Sequence, residues 1–405
     1  MSIKICQLLP QLLLAESGTV IGAAAKNCLS LAMELRNRGA DVTVLAPVGQ
    51  EKRKALASSH NLAQIVRPLA NDRMGLTGRG ANAIRTIHRE LRRLLREKHF
   101  DIVHSHSGTY PYAVLPLVAD RNRTVRLHSL YCPFRAKGGV FGSWWESPAI
   151  GRRLFSRLDR IVALTTHISQ SIEQIGVATE RIESIGMCVD TSRFYPREPK
   201  GPSRYFAQDQ RTTNLLFIGN ASVEKGFAAI LEAVRILHNK QIPVSLVATI
   251  ENQSGISEYK ARYRQAQVFL REAGIEKCVT LLGIVDTIED LFLESDIVVS
   301  PWNTSRGPSD YPMVALEAMA MGKCVVSTPM RGCIELLDNG RAGILSSGFS
   351  ARAIAAAIEL AIRNPEIRLR VIKEALRKAN TLSLTNITQQ WLDLYKRLMA
   401  GKETQ

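Results

Sequence analysis

The chain has 405 residues, 45% of them hydrophobic and 22% charged, and a formal net charge of +16. That balance fits a soluble folded protein of two or three domains and excludes a disordered chain. No run approaches the roughly 18 apolar residues of a membrane helix, and the seven cysteines (6, 28, 132, 188, 278, 324 and 333) include no CxxC pair. A zinc ribbon is thereby excluded, a disulfide framework is disfavoured, and a reducing, cytoplasmic setting is expected.

The charge is uneven. Residues 1–197 hold 28 Lys and Arg against 15 Asp and Glu, a surplus of 13, whereas 198–405 hold 25 against 22, a surplus of 3. The N-terminal half is therefore the part expected to attract a polyanion, whether a phosphorylated substrate, an anionic membrane surface or nucleic acid.

In chain order, the apolar opening 3–9 could be taken for a signal peptide, but Gln7, Pro10 and Gln11 interrupt it, and a first β-strand over 3–8 is the better reading. A helical period comes next over 22–38, closed near Gly39, and further β-branched runs fall at 41–46, 101–105, 124–128 and 160–164. Between them, 84–98 is amphipathic. Ile84, Ile87, Leu91, Leu94 and Leu95 share one face, and Arg85, Arg89, Arg92, Arg93 and Arg96 share the other. That basic face is either simply solvated or docks on anionic lipid headgroups, each basic residue contributing about 1 kcal/mol. Trp144 and Trp145 stack on a sugar, touch a membrane or pack their own loop. The polar, proline-containing stretch 197–204 reads as an interdomain linker. Strand runs then resume at 214–218, 244–248, 279–282, 297–300 and 324–327, and the tail from Ser350 is almost wholly helical. Strands alternating with helices predict an α/β protein of two doubly wound Rossmann-like domains facing a cleft, with ligands at the carboxyl ends of the strands.

Several residues at those strand ends carry chemistry. After the strand at 214–218 come Gly219, Asn220, Glu224, Lys225 and Gly226, so Lys225 stands at a helix entrance where it could neutralise a diphosphate; as an isolated residue it would be an ordinary surface lysine. After 297–300 a polar loop leads into a helix beginning at Met313 and closed by Gly322. The first N–H groups of such a helix favour phosphate, and Glu317, one turn in, could reach a ribose hydroxyl or be a solvated helical glutamate. His104, His106 and His128 end neighbouring strands and are either structural or part of a site.

Together these stretches resemble the retaining GT-B glycosyltransferases of family 4, over most of the chain and most strongly from Leu215 to Thr328. The resemblance makes Glu224-Lys225-Gly226 the donor-diphosphate segment, with Asn220 where arginine is usual. It makes Gly283 and Ile284 the main-chain contacts to the base, Glu317 the ribose ligand, and Met313 and Val314 the helix start beneath the donor. The first of the family's paired glutamates falls at Ser309, with Asp310 beside it. In the N-terminal half, Gly22 matches the glycine loop near donor phosphate and acceptor. His104 and His106 match an acceptor-side strand end, and His128 matches the histidine that touches the transferred sugar.

The resemblance implies a hexosyltransferase-type enzyme (EC 2.4). It would move a sugar from a nucleotide-diphosphate sugar, UDP favoured and GDP second, to a saccharide, lipid-linked or small-molecule acceptor. Lys225 and His128 would carry the catalytic load, with no metal or other cofactor. The expected layout is an acceptor-side domain over 1–197, rejoined by a helix at about 386–405, and a donor-binding domain over 205–385. The expected location is cytoplasmic, peripheral on the inner face of the plasma membrane through the helix 84–98. No nucleic-acid partner is expected, since no such motif is present and aromatics are only 6%. An epimerase or hydrolase of nucleotide sugars and a non-catalytic nucleotide-sugar-binding GT-B protein are the alternatives.

Overall fold

The computed structural model describes residues 2–14, 18–70, 81–108, 110–134, 147–199, 201, 203–206, 209, 211–219, 221–250, 257–285, 287–304 and 309–403. They form two compact units. The first comprises residues 1–188, 308–310 and 384–405, and the second comprises 189–307 and 311–383.

In chain order the first unit has β1 (Lys4–Leu8), a short antiparallel pair β2 (Leu13–Leu14) and β3 (Val20–Ile21), α1 (Ala23–Asn37), β4 (Asp41–Val48), α2 (Arg53–Ser58), α3 (His60–Ile65) and β5 (Val66–Ala70). It continues with α4 (Ala81–Glu97), β6 (Ile102–Ser107), β7 (Val125–Leu130), α5 (Pro148–Phe155), β8 (Arg160–Ala163), α6 (Thr166–Glu173) and β9 (Ile182–Ser184). The second unit has β10 (Thr213–Gly219), α7 (Phe227–Asn239), β11 (Val244–Ile250), α8 (Ser257–Glu272), β12 (Val279–Leu282), α9 (Ile288–Glu294), β13 (Ile297–Ser300) and α10 (Met313–Ala320). It closes with β14 (Cys324–Ser327), α11 (Arg331–Leu336), β15 (Ile344–Leu345), α12 (Ala351–Arg363) and α13 (Pro365–Thr381), after which α14 (Leu384–Glu403) rejoins the first unit.

The first unit's sheet is parallel in the order β5-β4-β1-β6-β7-β8-β9, and the second unit's is parallel in the order β12-β11-β10-β13-β14-β15. Each chain path runs outward from a central strand, returns, and runs outward again on the other side. That is the doubly wound α/β arrangement, with switch points between β1 and β6 and between β10 and β13. Strands β6, β11, β13 and β14 are buried at every position, as sheets covered by helices on both faces require.

Helix periodicity supplies the covers. Phe227, Ile230, Leu231, Val234 and Leu237 of α7 face the second unit's core, and Ile87, Leu91 and Leu94 of α4 face the first unit's. Each such side chain contributes about 1.5–3 kcal/mol on leaving water. The arginines on the other face of α4 are exposed. No helix of the described residues is long and apolar enough to cross a membrane.

Candidate active site

In the second unit the loops after β10 and β13 flank the switch point and are bonded to each other. The Asn303 backbone N–H donates to the Glu224 carbonyl at 3.1 Å, and its side-chain amide donates to the Val223 carbonyl at 2.8 Å. Gly226, the N-cap of α7, has φ +70°, and a Cβ built there would lie 1.9 Å from the Pro301 carbonyl oxygen. Only glycine admits both that backbone conformation and that approach. Neighbouring Lys225 consequently lies against the second loop, its Nζ 3.0 Å from the centre of the Trp302 ring. A cation held over an indole face is attracted to the ring and fixed in direction. The second loop is anchored from below, the Thr328 hydroxyl donating to the Trp302 carbonyl and that of Ser327 to the Ser300 carbonyl.

The second loop leads into α10, whose N-cap is Pro312 and whose first turn, with Met313 and Val314, has no side-chain cap. N–H groups of such a turn point toward the carboxyl side of the sheet and favour an anion. Glu317 lies one turn inside α10 and is buried, 4% exposed, so it is not a solvated surface glutamate. Its charge helps hold the proton on Arg193, in smaller part than Glu289, whose carboxylate accepts from that guanidinium. Gly283 and Ile284 come directly after β12, on the carboxyl side of the same sheet and two strands from β10.

The first unit separates the three histidines. Parallel register pairs His104 with Leu127, Ser105 with His128 and His106 with Ser129. Because side chains alternate along a strand, His104 and His106 share one sheet face with Ser129, and His128 shares the other with Ser105. The expected cluster of three is therefore corrected to a pair and a single ring. The His104 and His106 rings lie against each other, tilted by 37°, with centres 3.9 Å apart. His104 has both nitrogens occupied, Nδ1 2.9 Å from Tyr395 Oη of α14 and Nε2 2.8 Å from Ser129 Oγ, and Trp391 packs on its ring. It holds α14 to the sheet and offers no atom to a ligand. His106 Nδ1 lies 3.2 Å from Tyr131 Oη, which also accepts from the Asn27 amide.

On the other face, His128 Nδ1 lies 2.7 Å from Ser105 Oγ and its ring packs on Phe155; its buried Nε2, like that of His106, has no hydrogen-bond partner among the described residues. All three rings are fully buried, and burial lowers their pKa values, those of His106 and His128 to about 3. They are neutral at physiological pH.

Asp310 and Ser309 group with the first unit. The Asp310 N–H donates to the Tyr131 carbonyl at 2.7 Å. Its carboxylate accepts from the Thr165 hydroxyl at 2.7 Å and faces His167 Nδ1 at 3.3 Å. That carboxylate is committed to α6, because Thr165 is also the helix's N-cap, its hydroxyl accepting from the Ile168 N–H. Gly22 is the N-cap of α1 with φ +99°, and among the described residues nothing lies within 4 Å of where a Cβ would project. Asn220, Trp144 and Trp145 lie outside the described residues. Trp302 and Asn303, which fix Lys225, and Ser105, which holds His128, did not stand out in the sequence. An aromatic at a strand end and a serine paired to the histidine by strand register were the available signals.

Two family models match, "Glycosyltransferase Family 4" over residues 24–193 and "Glycosyl transferases group 1" over 212–364. The D-inositol 3-phosphate glycosyltransferase of Pseudarthrobacter chlorophenolicus is 26% identical over 316 residues, 76% of this chain and 73% of that protein. Among solved structures, Anabaena HepE in complex with UDP aligns with a TM-score of 0.75 at 19% identity, covering 98% of this chain and all of that one. A glycosyltransferase from Rickettsia africae aligns with a TM-score of 0.73 at 16% identity, covering 98% and 99%. The matching proteins are enzymes, which removes the non-catalytic alternative. The two matched segments, the two doubly wound parallel sheets and these relatives together identify the chain as a GT-B glycosyltransferase of the family 4 kind.

Proposed function

We propose that the enzyme transfers a hexosyl group, with retention of anomeric configuration, from a nucleotide-diphosphate sugar to a hydroxyl of a saccharide, lipid-linked or small-molecule acceptor. UDP is the favoured nucleotide and GDP the second. The second unit carries the donor and the first the acceptor. The observation that carries this reading is the pair of interlocked loops at the second unit's switch point, which hold Lys225 in a fixed direction where the fold binds ligands.

These residues set the chemistry. The bond between the sugar's anomeric carbon and the phosphate oxygen breaks, and a new one forms to the acceptor oxygen. The departing diphosphate gains charge, which the Lys225 ammonium and the first N–H groups of α10 stabilise; such preorganised groups supply the largest share of many rate enhancements. Glu317 accepts from the ribose, and Gly283 and Ile284 meet the base through their main chain. His128 Nε2 bonds a hydroxyl of the transferred sugar, and Ser105 holds the ring. The acceptor's proton passes to the leaving phosphate, so no protein nucleophile and no metal enter the scheme. His106 borders the acceptor side, whereas His104 and Asp310 are structural. The exposed arginines of α4 give the enzyme a peripheral contact with anionic membrane on the cytoplasmic side.

The test is sugar transfer by Lys225→Ala and Glu317→Ala chains at saturating and at limiting donor. Both are expected to lose turnover, and product is expected only with acceptor present. Wild-type rates in both variants would overturn the site, and product without acceptor would favour an epimerase or hydrolase.

A further inference from the structure

The first unit has a cavity of about 700 Å³ at the edge of its sheet opposite the carboxyl ends. It lies where β7, β8 and β9 begin, and the last turn of α14 closes it. Six cationic side chains line it, those of Arg121, Arg126, Arg157, Arg160, Arg181 and Lys402, against two carboxylates, Asp159 and Glu180.

The walls are prebuilt. Backbone carbonyls that would repel an anion are already covered, since Arg126 donates to the Arg157 carbonyl, Arg181 to that of Leu158 and Arg160 to that of Asp159. Lys402 is paired with Asp159 at 2.8 Å. Arg121, Arg157 and Arg181 have no carboxylate within 4.0 Å among the described residues, so the lining keeps an uncompensated positive surplus. Arg126 Nε and Arg160 Nε are buried and donate no hydrogen bond among the described residues. Their nearest carboxylates, Asp159 and Glu183, lie at 3.6 and 3.4 Å. Guanidinium forks facing a concave space suit the oxygen pairs of phosphate groups, and a cavity of this volume holds a small phosphorylated molecule rather than a lone ion.

We infer that this cavity is a second anion site, separate from the donor site, that binds a phosphate-bearing group, either a soluble phosphorylated metabolite or a phosphomonoester lipid headgroup. Its residues are independent of those proposed for the donor.

The test uses inorganic pyrophosphate titrated calorimetrically into the full chain carrying Lys225→Ala, which weakens diphosphate binding at the donor site. Saturable binding is expected, weakened about tenfold or more by adding Arg121→Ala and Arg157→Ala. Both arginines are exposed and lack carboxylate partners among the described residues, so the fold should persist, as a thermal melt will show. Arg85→Ala with Arg89→Ala, on the exposed face of α4, should leave the affinity unchanged. Sedimentation with phosphatidylcholine vesicles, with and without phosphatidic acid, separates the sources. Retention on the phosphatidic acid vesicles that is lost with Arg121 and Arg157 assigns a headgroup, and pyrophosphate binding with retention absent, or present but unchanged by those two substitutions, assigns a soluble ligand. No pyrophosphate binding, or equal affinity after the paired substitution, would overturn the site.

Discussion

At the scale of single residues, the separation of roles among similar side chains decides what each can do. His104 and His128 are equally buried, yet the first has both nitrogens engaged and the second keeps Nε2 without a partner among the described residues. Losing the Tyr395 hydroxyl leaves a buried nitrogen unsatisfied, so Tyr395→Phe should cost about 1–3 kcal/mol in chemical denaturation while leaving the donor site intact. The three buried rings also make a pH prediction. Unfolded, each takes up a proton near pH 6.5, whereas His106 and His128 folded do so only at about 3, and His104 likewise is held well below its usual value. Between those limits the folded chain binds fewer protons than the unfolded one, so these groups make stability fall as pH falls below about 6.5 and contribute no slope well above it. In NMR titration their ring signals should stay those of neutral imidazole from pH 8 to 5. A midpoint near 6.5 for any of the three would contradict the burial. Lys225→Ala should lower turnover about 100-fold or more, the scale seen when one preorganised charge-stabilising donor is removed, and Lys225→Arg should recover only part of it, because the Trp302 ring fixes a point charge rather than a planar fork.

Among elements, the central strands and amphipathic helices were legible because burial on both faces imposes long apolar runs and a 3.6 period on the sequence. The expected runs at 214–218, 244–248, 279–282, 297–300 and 324–327 correspond to β10 through β14, and the helix expected at 84–98 is α4. What the sequence did not reveal lies at the sheet edges. Among the described residues strand β5 pairs on one side only, and it contains Pro68, whose missing N–H an edge strand tolerates; β9 and β15 are three and two residues long. Those segments bury too little to carry a pattern. The loops were half legible. Lys225 and Gly226 stood out as a motif, but that Gly226 touches the Pro301 carbonyl is a contact between loops 75 residues apart, invisible to local periodicity. Gly226→Ala should therefore destabilise the second unit by about 2 kcal/mol or more and reduce donor affinity together, through a positive φ and a clash that backbone must absorb. At the chain's end, α14 packs Trp391 and Tyr395 against His104, so a chain stopped after Ser383 should melt several degrees lower or aggregate. An unchanged melting temperature would show that α14 is dispensable to the first unit.

At the scale of the whole molecule, the architecture was readable before the site was. Alternation of strand and helix predicted two doubly wound sheets, and their strand orders agree with it. The change of unit falls at Cys188/Val189, ahead of the stretch 197–204 that the prolines suggested as the linker. The placement of His128 on the opposite face from His104 depends on strand parity and pairing register together, so it emerges only once the sheet is assembled. The charge surplus of the N-terminal half likewise has a spatial meaning that counting missed, with one share on the open face of α4 and another gathered in the cavity beneath β7 and β8. Because the proposed chemistry assigns diphosphate stabilisation to Lys225 and helix N–H groups, transfer should continue in excess EDTA; complete loss that magnesium restores would contradict that assignment. The most direct measurement of the central claim is a thermal-shift panel of UDP, GDP and ADP with their sugar conjugates on the wild-type and Lys225→Ala chains. UDP at 100 times its dissociation constant should stabilise the wild-type chain by about 2.7 kcal/mol, and the variant should lose that gain. No shift with any nucleotide, or an equal shift in both chains, would contradict a donor site built on Lys225.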